Sequence, residues 1–312
     1  MKKVSIVGSG NVGVNSAFFI AETAAANVLL VDIQEGISTG KALDLMEAAP
    51  IRRYRTRIEG SDAIADIAGS EVVVLAAGLI RAPGKERSEH FQANAALARE
   101  LATAIAKQAP EAKVIVATEP VDAIVKVVVE TTGFDRHRVI GVGGILDSMR
   151  MASFIADALG VSPRDIHALV IGSHTGRMVP LPFYARVNGV EISQLLDAQT
   201  VGRIVDDTRR AGDVIVDLAK HANAYYAPSA AITTLVEAIC LDLKVVRSVS
   251  VLLAGEYGLS DVALSVPCKL GAAGVEQIIE LALNEEDRQA LAASAGPVRA
   301  LFAPAEDRKG TR

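Results

Sequence analysis

A histidine inside an apolar segment is the first residue of this sequence that could do chemistry. His174 lies in VIGSHTGRMVP, which spans Val170–Pro180. An imidazole titrates near neutral pH, so it can give a proton to a substrate or accept one from it. The alternative is a hydrogen-bonded histidine with a structural role, which is common beside strand-like runs. The segment alone leaves both interpretations open.

A second group that could do chemistry is a basic loop, LIRAPGKER, in which the cations Arg81, Lys85 and Arg87 surround Pro83-Gly84. The loop follows a buried strand, and ligands of doubly wound sheets bind at the carboxyl ends of the strands. Guanidinium groups bind carboxylates through paired hydrogen bonds, and a Pro-Gly turn could let the loop close as a lid. The alternative is an ordinary solvated basic loop.

A glycine-rich loop follows the first predicted strand and precedes a helical pattern. In GSGNVG, the glycines Gly8, Gly10 and Gly13 have the G-x-G-x-x-G spacing of dinucleotide-binding folds. Asp32 ends the second predicted strand, at the spacing where an acid binds the adenosine ribose and disfavours a 2′-phosphate. The loop, helix and acid together predict binding of NAD rather than NADP.

The elements that must position these residues change character along the chain. Near-continuous apolar runs predict buried parallel strands at Val4–Gly8, Asn27–Asp32, Glu71–Gly78 and Lys113–Thr118. Helical patterns lie between these runs, as in a doubly wound α/β sheet. The second half mixes amphipathic helices such as Thr200–Lys220 with strand candidates in VVRSVSVLL and DVALSVP. We therefore expect a Rossmann-type NAD-binding domain over residues 1–143, followed by an α+β substrate-binding and catalytic domain over residues 144–312.

The composition excludes several other classes of protein. The net charge is −5 and there is no long basic run, which argues against nucleic acid as a partner. The apolar runs are too short to cross a bilayer or to act as an export signal. The two cysteines, Cys240 and Cys268, form neither a disulfide framework nor a metal-binding pattern, so we expect no metal and a cytoplasmic location.

Several motifs, in order along the chain, carry a resemblance to a known family. They are GKALDLMEAAP, GLIRAPGKER, GGILDSMR, AYYAPSAA, GEYGLSDVALSVPCKLGAAGVEQIIEL and LNEED. On these residues the sequence resembles the lactate/malate dehydrogenase family over essentially its whole length. It is most similar to the branch of lactate-dehydrogenase-like malate dehydrogenases.

The resemblance implies a reaction and a role for each polar residue. The reaction is reversible hydride transfer between NAD and a 2-hydroxy acid, with His174 as the acid/base and Asp147 as its partner. On spacing alone, Asp147 and Arg150 could be an i,i+3 helix pair. The resemblance instead places Arg150 on the substrate's C1 carboxylate, Arg87 on the reacting carbonyl and Arg81 on a second carboxylate. The expected substrates are therefore the dicarboxylates (S)-malate and oxaloacetate, as in the tricarboxylic acid cycle.

The resemblance also implies the cofactor contacts. The pyrophosphate is expected on the loop, the ribose on Asp32, and the nicotinamide half near Asn94 and the segment Ala117, Thr118 and Glu119. The loop residues expected to contact the cofactor are Gly8, Ser9, Gly10, Asn11, Val12 and Gly13. The family assembles as dimers or tetramers, so a homo-oligomer is implied as well.

The sequence departs from the family pattern at two places that bear on the site. Glu119, in ATEPVDA, replaces an asparagine that contacts substrate, so an amide donor becomes a carboxylate. After His174, the chain reads Thr175, Gly176 and Arg177 where relatives have Gly-Asp and a hydroxyl or acidic residue. One hypothesis is that Glu119 and Arg177 form a compensating ion pair. The other is that Arg177 points into solvent.

Three functions remain open on the sequence. An NAD-dependent malate dehydrogenase is favoured by Arg81, whereas Glu119 permits another 2-hydroxy-acid dehydrogenase with a lactate-like or unusual substrate. An NAD-binding paralogue with little catalysis is the third, and the retention of Arg81, Arg87, Asp147, Arg150 and His174 argues against it.

Overall fold

The first half of the chain alternates strands and helices in the computed structural model, which describes residues 1–79, 88–219 and 224–303 in full and residue 87 by its backbone. Its elements are β1 (Lys3–Val7), α1 (Asn11–Thr23), β2 (Asn27–Val31), α2 (Ile37–Arg52), β3 (Ile58–Ser61), β4 (Val72–Leu75), α3 (Arg87–Gln108), β5 (Lys113–Val116), α4 (Val121–Thr132) and β6 (Val139–Gly141).

These six strands form one parallel sheet in the order β3-β2-β1-β4-β5-β6. The order reverses between β1 and β4, which is the topological switch point where doubly wound sheets bind ligands. Strand β4 is buried at every position, as expected when helices cover both faces of a sheet. The sequence prediction of a doubly wound parallel sheet is confirmed.

Two strands end two or three residues earlier than the sequence indicated. The run Glu71–Gly78 contributes only Val72–Leu75 to the sheet, and Lys113–Thr118 contributes only Lys113–Val116. Beyond these ends the two segments still contact each other. The Thr118 hydroxyl donates a 2.7 Å hydrogen bond to the carbonyl of Ala77. Apolar character continues past the point where strand pairing stops, and these segments form the floor of the site described below.

The second half is built from helices and short or antiparallel strands. They are α5 (Gly143–Leu159), β7 (Ile166–His167), β8 (Val170–Ile171), β9 (Val179–Pro180), β10 (Arg186–Val187), β11 (Val190–Glu191), α6 (Ala198–Ala219), α7 (Tyr226–Cys240), β12 (Val245–Ala254), β13 (Ser260–Gly271), β14 (Gly274–Ile278) and α8 (Glu285–Ala300). Short 3-10 turns lie at Ile64–Ile67, Arg136–Arg138, Pro163–Asp165, Pro182–Tyr184, Ile192–Gln194 and Glu256–Gly258.

The strands predicted in VVRSVSVLL and DVALSVP are present as β12 and β13. They pair antiparallel, and β12 also pairs with β6 through Ser250 and Gly141. The sheet therefore extends beyond residue 143, where the expected NAD-binding domain ends. It has nine strands in the described part of the chain. Side chains from the two halves can meet along this junction.

The apolar residues form two clusters. The larger one fills both faces of the nine-stranded sheet and includes Ile6, Leu30, Val74, Ile115 and Ile140, all fully buried. The smaller one lies between α5, α6 and the short strands of the second half, and contains Met151, Ile155, Met178, Ile192 and Ile204. Both clusters end beside the loop that carries His174.

Helix α6 is amphipathic, but only its first half buries the apolar stripe read from the sequence. Ile204, Thr208 and Ala211 are buried, whereas Val214, Ile215, Val216 and Leu218 are exposed. Among the described residues, none of the helices is long and apolar enough to cross a membrane.

Candidate active site

The glycine-rich loop is shaped by contacts that leave no room for side chains at two positions. Gly8 has a φ of +108°, and a Cβ on it would lie 2.4 Å from the backbone nitrogen of Ala77. A Cβ on Gly13 would lie 2.0 Å from the carbonyl oxygen of Gly8. Glycine is therefore required for the turn at Gly8 and for the packing of α1 against β1.

The amino terminus of α1 is open where a pyrophosphate would bind. Gly10 is the residue before the helix, and no side chain in the described residues caps that end. A Cβ on Gly10 would meet no atom within 4 Å. Free N–H groups at a helix amino terminus bind anions. The loop thus fits the diphosphate of a dinucleotide.

The acid that follows is held beside this loop. One oxygen of Asp32 accepts a hydrogen bond from the backbone N–H of Ser9 at 2.8 Å, and the other accepts one from Gln34 at 3.2 Å. The hydroxyl of Ser9 is turned inward, onto the hydroxyl of Ser38 at 2.8 Å. Ser9 therefore faces the cofactor region with its backbone, and Asp32 lies where an adenosine ribose would follow the pyrophosphate.

The residues expected near the nicotinamide lie at the carboxyl ends of β4 and β5. The buried amide of Asn94 accepts from the N–H of Leu79 at 2.8 Å and donates to the carbonyl of Glu119 at 2.7 Å. Thr118 is likewise buried, with its hydroxyl on Ala77. Both side chains hold the two strand ends together, so they shape this edge of the sheet from within.

The histidine and aspartate expected to work together are in direct contact. The Nδ1 atom of His174 lies 2.7 Å from Oδ2 of Asp147, whose side chain is only 2% exposed. His174 comes from the loop between β8 and β9, and Asp147 from the second turn of α5. The start of α5 packs closely against the histidine loop, since a Cβ on Gly143 would lie 3.0 Å from the Cβ of His174.

Arg150 lies on the same face of α5 as Asp147, and not all of its guanidinium nitrogens have hydrogen-bond partners among the described residues. Its NH1 atom is 3.3 Å from Oδ1 of Asp147. Its Nε atom is buried and has no hydrogen-bond partner among the described residues. A buried guanidinium nitrogen without a partner is costly, and guanidinium groups bind carboxylates through paired hydrogen bonds. Arg150 thus forms the i,i+3 pair with Asp147 and keeps one guanidinium nitrogen without a partner in the described residues.

A second aspartate, Asp122, supports the histidine loop and was not identified from the sequence. It is buried in the first turn of α4, accepts the backbone N–H of His174 at 2.7 Å and accepts the hydroxyl of Ser250 at 2.6 Å. Burial raises the pKa of Asp122 to about 6, against the lowering effect of these hydrogen bonds. One carboxylate in the apolar run VDAIVKVVV was the signal that could have revealed it.

Glu119 approaches the other face of the catalytic imidazole. Its Oε1 atom lies 3.5 Å from Nε2 of His174, and its Oε2 atom accepts the N–H of Val121 at 3.1 Å. Burial opposes the charged form of His174, but the charges of Asp147 and Glu119 outweigh it and raise the pKa of His174 to about 10. The imidazole is therefore a proton donor at neutral pH.

The ion pair hypothesised between Glu119 and Arg177 is wrong for the described residues. Arg177 is exposed, and the ion-pair partner of Glu119 is His174. The backbone N–H of Arg177 donates a hydrogen bond to the hydroxyl of Thr175 at 3.0 Å. This contact lies within HTGR, the segment that departs from the family pattern. Arg81 and the side chain of Arg87 lie outside the described residues, as do residues 220–223.

The histidine, its two carboxylate partners and Arg150 lie at the edge of a sheet whose glycine loop fits a dinucleotide. This arrangement fits a dehydrogenase that uses a nicotinamide cofactor. No group of three or more potential metal ligands is found in the described ranges.

Comparison with known proteins places the chain within that class. Residues 2–141 match the NAD-binding domain of lactate/malate dehydrogenases, and residues 145–307 match their alpha/beta C-terminal domain. The chain therefore belongs to the lactate/malate dehydrogenase family, and its cofactor is NAD.

Relatives match over nearly the full length. Malate dehydrogenase from Thermomicrobium roseum is 44% identical over 300 residues, covering 96% of this chain and 97% of the relative. That of Methanosarcina mazei is 43% identical over 299 residues, with the same coverage.

Solved structures match equally well in fold. The apo malate dehydrogenase of Picrophilus torridus has a TM-score of 0.94 at 36% identity, over 98% of both chains. The lactate dehydrogenase of Eimeria maxima, with NADH and oxamate, has a TM-score of 0.92 at 34% identity, over 96% of this chain and 93% of that one.

Proposed function

We propose that this protein is an NAD-dependent malate dehydrogenase that interconverts (S)-malate and oxaloacetate. The observation that carries the proposal is the His174–Asp147 pair with the guanidinium of Arg150 beside it. Relatives of about 44% identity that are named malate dehydrogenase support the choice of substrate.

The chain's own residues account for the movement of the proton. NAD, when bound, accepts or supplies the hydride at the substrate's C2 carbon. The Nε2 atom of His174 protonates the carbonyl oxygen in reduction and accepts the hydroxyl proton in oxidation. Asp147 fixes the tautomer by holding Nδ1, and Arg150 orients the C1 carboxylate.

The division of labour follows the expected domains. Residues 1–143 would hold the cofactor through Gly8–Gly13 and Asp32, with the backbone of the 117–119 segment near the nicotinamide. Residues 144–312 would supply His174, Asp147 and Arg150. Arg87 and Arg81 remain predictions for the reacting carbonyl and the second carboxylate.

A second candidate is a dehydrogenase for a different 2-hydroxy acid. The Glu119 carboxylate beside His174 favours it, because a negative charge there repels the distal carboxylate of oxaloacetate. A substrate without that carboxylate, such as pyruvate, would avoid the repulsion. The family includes lactate dehydrogenases of the same fold.

The deciding experiment compares oxaloacetate and pyruvate at equal concentration, with NADH oxidation followed by absorbance. We expect kcat/KM to favour oxaloacetate by at least about 100-fold. The reason is that pyruvate would leave the guanidinium of Arg81 without a carboxylate partner in a closed pocket, which would cost several kcal/mol.

Arg150→Lys should lower kcat/KM by about 100-fold, because lysine cannot form the paired hydrogen bonds. Exposed Arg164→Lys is the control. Preference for pyruvate would favour the second candidate, and NADH binding without turnover would favour a paralogue with little catalysis.

The assembly and location are part of the same proposal. The exposed apolar residues at the end of α6, and Leu43 and Ile51 on α2, support a homo-oligomer, a dimer or a tetramer. Two free, buried cysteines suit a reducing cytoplasm. Malate and oxaloacetate are intermediates of the tricarboxylic acid cycle, where we place the reaction.

A further inference from the structure

The imidazole of His174 has a carboxylate on each of its nitrogen atoms. Asp147 contacts Nδ1 at 2.7 Å, and Glu119 lies 3.5 Å from Nε2, the nitrogen that faces the substrate region. The two carboxylates differ in exposure: the side chain of Asp147 is 2% exposed and that of Glu119 is 52% exposed. Asp147 is therefore a fixed partner, whereas Glu119 has room to withdraw.

Two hydrogen bonds set the position of Glu119. Its Oε2 atom accepts the N–H of Val121, the first residue of α4, at 3.1 Å. Its carbonyl accepts the amide of Asn94 at 2.7 Å. A carboxylate at a helix amino terminus is stabilised by the free N–H groups there. The contact with His174 thus follows from how α4 begins.

The charges around the imidazole come from several elements. Helix α5 contributes Asp147 and Arg150, and the start of α4 contributes Glu119 and Asp122. Strands β12 and β13 contribute the neutral hydroxyls of Ser250 and Ser265. Arg150 opposes protonation of His174, as burial does, so the carboxylates must outweigh both. Asp122 bonds to the histidine backbone rather than to its ring, which leaves Glu119 as the carboxylate beside Nε2.

We propose that Glu119 is a positioning residue that keeps Nε2 of His174 protonated between turnovers, so that the site is set to reduce a 2-oxo acid rather than to begin with a 2-hydroxy acid. The inference rests on the proposed function. In reduction, the C2 carbon gains the hydride from NADH, which is oxidised to NAD⁺, and the carbonyl oxygen gains the Nε2 proton. The neutral imidazole then regains a proton from solvent, to which Glu119 is exposed.

The same geometry requires the side chain of Glu119 to move when a substrate binds. A carbonyl oxygen must come within about 3 Å of Nε2 to receive its proton. Oε1 of Glu119 already lies 3.5 Å from that atom, so the side chain must rotate outward as the substrate enters. The half-exposed side chain can do so, and the proton is held in place until then.

The test is the pH dependence of oxaloacetate reduction in Glu119→Gln, which removes the charge and keeps the shape. In the wild type, kcat/KM should stay constant into the alkaline range and fall only when His174 loses its proton. In Glu119→Gln, this fall should begin at least about one pH unit lower, because one of the two stabilising charges is gone.

The matched control is Glu130→Gln on the same helix, where the side chain is 55% exposed and pairs with Lys126. It lies at the far end of α4 and should reproduce the wild-type profile. Identical profiles for Glu119→Gln and the wild type would overturn the proposal, as would an equal shift in Glu130→Gln.

A second measurement follows the imidazole itself by NMR of histidine-labelled protein without substrate. Only five histidines are present, and the signal of His174 is assigned by its loss in His174→Gln. We expect the wild-type ring to stay protonated beyond about pH 8 and to titrate at least about one unit lower in Glu119→Gln. A wild-type ring that is neutral at pH 7 would overturn the proposal, even if the variant did not fold.

The two measurements separate this inference from the function on which it rests. A shifted titration without oxaloacetate reduction would reject the malate dehydrogenase but keep Glu119 as the partner of Nε2. Oxaloacetate reduction with an unshifted titration would reject the role of Glu119 alone.

Discussion

At the scale of single residues, the buried carboxylate of Asp122 has the largest consequence for stability. It accepts the His174 backbone and the Ser250 hydroxyl, so it joins α4, β12 and the catalytic loop. These bonds only partly compensate for its burial, which is why its pKa is raised to about 6 rather than lowered. The native state therefore favours the protonated form of the Asp122 carboxyl group, and burial of the charged form costs free energy.

Asp122→Asn should therefore change how stability depends on pH. The native carboxyl holds its proton to about pH 6, whereas the unfolded one releases it near 3.8. Between these values the native state binds more protons, so the wild type loses about 2 to 3 kcal/mol of stability relative to the variant as pH rises. Urea unfolding of both proteins between about pH 4 and 7 measures this difference. A difference that is constant over the range would contradict the prediction.

At the scale of elements, two glycines between β1 and the first turn of α1 differ in what surrounds them. Gly13 touches the backbone of Gly8, where nothing can move aside. Gly10 faces open space, at the helix end where the pyrophosphate is expected. Packing and cofactor binding thus belong to different positions of one motif.

Gly13→Ala and Gly10→Ala should consequently fail in different ways. Gly13→Ala should lower the free energy of unfolding by about 1–3 kcal/mol, because the added methyl overpacks a backbone contact. Gly10→Ala should change stability by less than about 0.5 kcal/mol, since no neighbour is touched and its φ of −72° suits alanine. It should nevertheless weaken NADH binding about tenfold, because the methyl occupies the approach of the phosphates. Unfolding curves and NADH titrations measure both, and wild-type affinity in Gly10→Ala would contradict the assignment.

At the scale of the whole molecule, the parallel and antiparallel halves share one sheet, and the site lies where they join. Asp122 from the parallel half binds Ser250 of β12 at this junction. The apolar end of α6 lies elsewhere and is exposed, with Leu218 at 79% and Val216 at 44%. An apolar stripe of this kind on a helix is typical of an interface between subunits.

Substitution of this stripe should dissociate the proposed oligomer. Val216→Glu with Leu218→Glu should shift the protein to monomers in light scattering after size exclusion, because two charges would be buried without partners. Val246→Glu on β12 introduces a charge at a similarly exposed apolar residue and serves as the control. A wild-type protein that is itself monomeric would exclude the oligomer.

Features of this protein whose physics is local could be predicted from the amino-acid sequence. The glycine spacing, the acid after β2 and the buried β-branched runs each depend on neighbouring residues, and the cofactor loop and parallel sheet followed from them. The partners of His174 could be proposed from the sequence only through family resemblance. Where this chain departs from the family, the sequence left two interpretations of Arg177, an ion pair with Glu119 or exposure to solvent, and the structure has it exposed.

The charges that surround the histidine come from elements that are distant in the sequence and meet in the folded chain. Glu119 and Asp122 follow β5, Asp147 lies on α5, and His174 lies beyond β8, so their distances depend on strand order and on how closely α5 approaches the loop. That approach is close at Gly143, where a Cβ would lie 3.0 Å from the Cβ of His174. Spacing along the chain does not specify such contacts, because long-range packing sets them. The same holds for α6, whose apolar periodicity is continuous in the sequence but buried only where α5 covers it.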